Sequence, residues 1–108
     1  MKRFWVALVF VLAFPAMSLA ALSAPQITNE EHATYEKMMQ TDVSAAKSYL
    51  DTRNYLSLCR QVVADPNSAL QLTPEPDSYS DQYVTSDEQA IVDHAINLNI
   101  AAILSQKH

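Results

Sequence analysis

Glycine is absent from all 108 residues of the chain. Glycine is the residue that most readily adopts the positive φ angles of tight β-hairpin turns. Domains built from hairpins therefore depend on it, whereas helical domains can do without it. The absence of glycine favours an all-α fold. We expect a small helical bundle of two to three helices with one long irregular loop, preceded by a signal peptide.

The first twenty residues have the three-part layout of a secretory signal peptide. Lys2 and Arg3 precede an apolar, uncharged run over 4–14, which ends in a helix-breaking proline. Ser18 and Ala20 are small residues at the spacing of a cleavage site. We therefore expect cleavage after Ala20 and release of a bacterial-type exported protein into the periplasm or the medium.

The same apolar run is open to a second interpretation, as an uncleaved N-terminal anchor in the inner membrane. Residues 4–22 are just long enough to span a bilayer and are interrupted in polarity only by Ser18. The proline and the small residues after it favour cleavage over anchoring. After cleavage, we expect no stable membrane insertion.

The part of the chain that follows Ala20 is strongly acidic. It contains five Lys and Arg residues against twelve Asp and Glu residues, a net charge of −7. Phosphate backbones attract basic surfaces, so this charge argues against nucleic-acid binding. A partner protein with a basic surface would be attracted. The length is that of a single domain, and self-association is left open.

Helix signals divide the mature chain into segments. Thr28 and Glu31 have the spacing of a capping box, and apolar residues recur at helical spacing after it. That periodic run is long for one helix, and the polar residues 51–54 indicate a break within it. Ser86 and Gln89 form a second capping box. The predicted organisation is a signal peptide at 1–20, an extended lead-in at 21–27 and a helical domain at 28–108, with helices at about 29–50, 52–64 and 87–105 and a loop at 65–85.

No sequence pattern predicts catalysis, a metal site or a cofactor. Without glycine the chain has neither a nucleophile elbow nor a phosphate-binding glycine loop. The three histidines, His32, His94 and His108, lack the spacing of a zinc site. We therefore expect the protein not to be an enzyme and to bind no metal or cofactor.

Three single residues carry specific expectations. Cys59, the only cysteine, falls in an apolar stripe, so we expect a buried, unpaired thiol; an intermolecular disulfide is the alternative. Asp42 and Asn99 interrupt apolar stripes, so we expect both to face inward and to be hydrogen-bonded. The alternative for these two is a stripe that faces another protein.

The long loop is the feature that we connect with function. Tyrosines among acidic residues on an irregular segment are typical of a recognition surface, although a solvated linker has the same composition. Residues 73–83 lack helical periodicity, so we expect them to contribute least to the core and the helices to act as their scaffold. Leu70 and Leu72 are expected to hold the first part of the loop against the core. The predicted partner-binding residues are Glu75, Asp77, Tyr79, Asp81 and Tyr83.

These observations together favour an exported protein-binding module. An inhibitor or immunity-type protein that occludes a basic partner fits the size and the charge. The alternative is a small periplasmic chaperone or stress-response protein, which would use Tyr35, Met38 and Met39 as an adaptable apolar surface.

Overall fold

The computed structural model describes residues 22–106, and within them the fold is all-α. Three helices form the bundle, and two short 3₁₀ turns interrupt the connection between the second and the third. The helices are α1 (Asn29–Met39), α2 (Val43–Ala64) and α3 (Ser86–Gln106), and the 3₁₀ turns are Pro66–Gln71 and Asp81–Tyr83. The prediction of a small helical bundle is thus confirmed. The predicted signal peptide and its cleavage site lie outside the described residues.

The core lies where α2, α3 and the first 3₁₀ turn meet. Its largest fully buried side chains are Leu56 and Val62 on α2 and Val92 on α3. The buried apolar residues are Ala46, Tyr55, Leu56, Cys59, Val62, Ala69, Leu72, Val92 and Ala95. Helix α1 packs against α2 at the edge of this core, and none of its residues, all of which are described, is fully buried.

The first predicted helix ends earlier than expected, and the predicted break over 51–54 is wrong. The chain leaves the helix at Gln40 and turns at Asp42, whose backbone is extended with φ −154°. Asp42 caps α2, because its Oδ1 accepts a hydrogen bond from the Ala45 amide at 3.1 Å. The expectation of an inward-facing Asp42 is therefore also wrong: a carboxylate at a helix N-terminus is stabilised there while it stays exposed.

Residues 51–54 remain helical because their polar side chains make tertiary contacts. Thr52 is fully buried and its Oγ1 accepts a hydrogen bond from the Ser80 amide at 2.9 Å. Asp51 accepts one from the Ser78 hydroxyl at 2.6 Å, and Arg53 forms ion pairs described below. Each of these three residues thus has a partner outside α2, and Asp51 in addition pairs with Lys47 of the same helix.

The first part of the long connection contributes to the core, whereas none of residues 73–83 is buried, as expected. Ser68, Ala69 and Leu72 are buried in this first part. Asp65 caps the first 3₁₀ turn by accepting from the Asn67 amide at 3.2 Å. Asn99 of α3 is half-buried and donates to the Ala69 carbonyl at 2.8 Å, which confirms that it faces inward and is hydrogen-bonded.

The capping boxes fix where α1 and α3 begin. The Thr28 hydroxyl accepts from the Glu31 amide while the Glu31 carboxylate accepts from the Thr28 amide, as predicted. For α3 the box lies one residue before the predicted pair: Thr85 and Glu88 exchange the two bonds at 3.1 and 2.8 Å. Both boxes therefore place a glutamate at the third helical position, where its carboxylate can also be reached from α2.

Candidate functional site

The connection between α2 and α3 is held against α2 by side-chain hydrogen bonds. The Tyr55 hydroxyl donates to the Thr73 carbonyl at 3.0 Å, and the Ser48 hydroxyl donates to the Ser78 carbonyl at 2.6 Å. Between these points the chain makes a turn that the Tyr79 amide closes on the Pro76 carbonyl. The predicted binding segment is thus an ordered part of the surface, with Asp77 exposed in this turn.

Tyr79 is half-buried under this segment. Its ring packs edge-on against Tyr55, with 6.0 Å between the ring centroids. Its hydroxyl donates to Oε1 of Gln89 at 2.6 Å, and the amide group of Gln89 in turn donates to Asp93. Tyr79 therefore joins the connection to α3. This contact helps to shape the surface that the connection forms over the Tyr79 ring.

Three carboxylates lie close enough to Tyr79 to affect its titration. Burial, followed by the negative charges of Glu75, Asp93 and Asp81, raises the pKa of Tyr79 to about 12. Asp81 and Asp93 also line one shallow depression at the start of α3. We call the surface formed by Glu75, Asp77, Asp81 and Asp93 the acidic face.

The acidic face belongs to a stretch of sequence without Lys or Arg, and the base beside it, Lys47 of α2, is paired with the Asp51 oxygen that also accepts from Ser78. The sequence contains no Lys or Arg between positions 61 and 106, whereas seven Asp and Glu residues fall in that stretch. Among the described residues, no ion pair involves Glu75, Asp77 or Asp81. Three of the four Lys and Arg residues in the described part are already paired with other carboxylates: Lys47, Arg53 and Arg60.

Tyr83 lies apart from the other predicted binding residues, in a cleft on the adjoining surface. Its ring packs edge-on against Tyr49 of α2 at 5.5 Å between centroids. The cleft is open and has a volume of about 650 Å³. We call it the tyrosine cleft, and it is lined by Glu30, Glu31, Thr34, Tyr49, Arg53, Gln82, Tyr83, Val84, Thr85 and Glu88. It shares Val84 and Thr85 with the depression at Asp81, so the cleft and the acidic face adjoin.

Arg53 forms the floor of the tyrosine cleft and joins all three helices. Its Nε donates to Glu31 of α1, and its two terminal nitrogens donate to the Glu88 carboxylate of α3 at 2.9 and 3.1 Å. It also donates to the Tyr83 carbonyl at 3.0 Å, which fixes the second 3₁₀ turn. The Arg53 and Glu31 side chains are each only 14% exposed, so this network is largely shielded from water.

The network shifts the titration of its carboxylates. Hydrogen bonds from Arg53, followed by one from the Thr85 amide, lower the pKa of Glu88 to about 2 although burial opposes the shift. Burial alone would raise the pKa of Glu31, but hydrogen bonds from the Thr28 amide and from Arg53 outweigh it and the pKa is lowered. Both carboxylates therefore stay charged at any physiological pH.

Comparison with known proteins gives no relative: no family model, curated protein or solved structure matches the chain. Inference about function therefore depends on the chemistry of the two adjoining surfaces.

The remaining chemical groups of the described residues give no sign of another site. Within residues 22–106 no group of three or more His, Cys, Asp and Glu side chains is placed to hold a metal ion, and no helix is long and apolar enough to cross a membrane. Cys59 is buried, as predicted, and burial followed by the charge of Glu75 raises the pKa of its thiol to about 12.

The sequence predicts three of the four residues of the acidic face, but it does not predict the tyrosine cleft. It identified Glu75, Asp77 and Asp81, but not Asp93, which lies on α3 twelve residues further along the chain. The cleft assembles side chains from three helices, which no local pattern reveals. The one available signal was Arg53, an isolated base within a polar cluster of a helix whose other face is apolar.

Proposed function

We propose that the protein is an exported binding module whose acidic face takes up a basic surface of one partner protein. The observation that carries the proposal is a set of carboxylates near Tyr79, those of Glu75, Asp81 and Asp93, that form no ion pair with a Lys or Arg of the described chain. Unpaired like charges on one surface repel one another, so a basic partner relieves this repulsion when it binds.

The unpaired negative charges of this surface favour recognition of a partner more than they favour the stability of the fold. Complementary charge accelerates association and excludes acidic competitors, while aromatic residues supply much of the contact energy at interfaces. The acidic face combines both with an ordered backbone, because α2 and Tyr79 hold the segment in place. An ordered segment loses little conformational entropy on binding.

An inhibitor or immunity-type protein is the specific role that we propose. A small, rigid, acidic domain can cover the active surface of a basic enzyme or toxin without any chemistry of its own. Such a role predicts a single partner bound in a fixed stoichiometry. Export by the predicted signal peptide would place the protein in the compartment where that partner acts.

Capture from the periplasm of the native host tests this proposal. The wild-type protein and a variant with Glu75→Gln, Asp77→Asn and Asp81→Asn serve as parallel baits, and Glu36→Gln is the control for loss of a carboxylate on α1, away from this face. We expect one basic protein to be retained in equimolar amount by the wild type and the control, but not by the triple variant. Retention by all three baits would refute the acidic face as the binding surface.

The chaperone alternative has one observation in its favour. Met39 is 38% exposed at the end of α1, a helix without a fully buried residue, so it could offer an adaptable apolar contact. That function predicts many weakly bound clients, and binding that is lost in Met39→Ser and retained when the acidic face is neutralised.

A further inference from the structure

We propose that the tyrosine cleft receives one arginine side chain of the partner. This inference rests on the proposed function, because it assigns a specific contact within the same recognition surface. The cleft adjoins the acidic face through Val84 and Thr85, so one partner can cover both.

The charge of the cleft selects a cation. Its lining contains three carboxylates, those of Glu30, Glu31 and Glu88, and one guanidinium, that of Arg53. Arg53 is already bonded to two of the carboxylates and to a carbonyl oxygen, so four of its five N–H donors are occupied. Glu30 is exposed, and no described residue pairs with its side chain. The cleft thus has one carboxylate free for an incoming cation.

The aromatic pair of the cleft selects a planar cation. Tyr49 and Tyr83 are both half-buried and line the cleft at an interplanar angle of 86°. An arginine guanidinium can stack on a tyrosine ring and at the same time form a bidentate pair with a carboxylate, whereas a lysine ammonium is a more strongly hydrated point charge. A volume of about 650 Å³ also leaves room for the backbone that flanks such a side chain.

The Arg53 network keeps the cleft in shape before the arginine arrives. It holds Tyr83 through its carbonyl and draws α1 toward α3 through the two glutamates. A preformed cleft avoids the ordering cost that a flexible surface would incur on binding. Arg53 is therefore a positioning residue for the cleft, and the incoming guanidinium contacts Glu30 and the tyrosine rings.

A capped Gly-Arg-Gly tripeptide tests the cleft without the partner. Its matched control replaces arginine with citrulline, which has the same shape and no charge. Titration is followed by NMR on the purified protein. We expect the arginine peptide to shift the resonances of Tyr49 and Tyr83 and to bind at least about tenfold more tightly than the citrulline peptide. Glu30→Gln should weaken the arginine peptide about fivefold or more, while Glu36→Gln on the same helix should not.

Equal binding of the two peptides, or shifts confined to residues outside the cleft, would overturn the assignment of arginine to the cleft. So would unchanged binding in Glu30→Gln. The wider proposal fails separately: a partner that is retained when the acidic face is neutralised contradicts the acidic face, whatever the tripeptide does. If the partner requires the acidic face but the tripeptide does not bind in the cleft, only the assignment of arginine to the cleft is contradicted.

Discussion

At the scale of single residues, polar side chains decide most of the local structure of this glycine-free chain. Thr28, Asp42, Asp65 and Thr85 each accept hydrogen bonds from free backbone amides at the start of a helical segment. Gln40 and Asp65, which end α1 and α2, have negative φ angles of −79° and −141°, so neither end needs a glycine. Reversals of the chain are achieved by side-chain caps.

Cys59 gives a prediction at this scale. The thiol is fully buried, and its pKa of about 12 means that almost no reactive thiolate forms near neutral pH. We expect a thiol reagent to label the native protein at least about a hundredfold more slowly than the urea-unfolded protein. Rapid labelling of the native protein, or a disulfide-linked dimer on a non-reducing gel, would show that the thiol is accessible.

Asp42 gives a second prediction at the scale of single residues, because its carboxylate caps α2. Asp42→Ala removes the bond to the Ala45 amide, and we expect the free energy of unfolding to fall by about 1 kcal/mol. Asp77→Ala is the matched control, since that carboxylate is exposed and makes no hydrogen bond among the described residues; its effect should stay within about 0.5 kcal/mol. Chemical denaturation measures both, and equal losses would contradict the cap.

At the scale of elements, the sequence predicts the helices better than the connections between them. The capping box at Thr28 and the apolar periodicity of α2 and α3 are local signals, and the helices that they predict are present. The predicted break in the run over 29–64 was misplaced because polar residues have two roles. Asp42 caps a helix, whereas the polar residues of 51–54 contact other segments. Only the positions of Ser78 and Ser80 in the fold distinguish the two roles.

The ion network between the helices predicts a pH dependence of stability. The pKa of Glu88 is about 2 in the folded protein against an ordinary value of 4.5. A carboxylate with a lowered pKa stabilises the fold above its unfolded pKa, and this contribution is lost as the pH falls from about 4.5 toward 2. Arg53 is the main cause of the shift and remains charged throughout.

Comparison with Glu88→Gln isolates this effect. At pH 6 the variant should unfold more easily than the wild type by about 2 kcal/mol, because it leaves a shielded guanidinium with one carboxylate fewer. That difference should shrink steadily between pH 4.5 and 2, because the Glu88 carboxylate of the unfolded wild type takes up its proton near pH 4.5 whereas that of the folded protein does so only near pH 2. A difference that stays constant over this range would show that Glu88 does not titrate as the network requires.

At the scale of the whole molecule, charge is distributed unevenly between two surfaces. Lys and Arg residues of the described part are confined to α1 and α2 and largely bound to carboxylates, so they organise the fold. Apart from Glu88, the acidic residues of the connection and of α3 form no ion pair among the described residues. This asymmetry is present in the sequence, since no Lys or Arg falls between positions 61 and 106, but the sequence does not show that Glu75, Asp81 and Asp93 lie near Tyr79.

Because Tyr79 and Tyr83 are half-buried, a test of binding should substitute exposed carboxylates and leave these two tyrosines in place. Serine at these positions would disturb the contacts with Tyr55, Gln89 and Tyr49, so a loss of binding could reflect a loss of structure. Substitution of an exposed carboxylate avoids this ambiguity, because it leaves the side-chain packing intact.

Association kinetics with the captured partner test the account most directly. The wild type, Asp77→Asn with Asp81→Asn, and the control Glu36→Gln are compared at low and high salt by surface plasmon resonance. We predict that the double variant associates about tenfold more slowly than the wild type at low salt, and that high salt removes most of this difference, because steering by exposed charges is screened. The control should associate like the wild type. Equal association rates for all three proteins at low salt would contradict recognition through the acidic face.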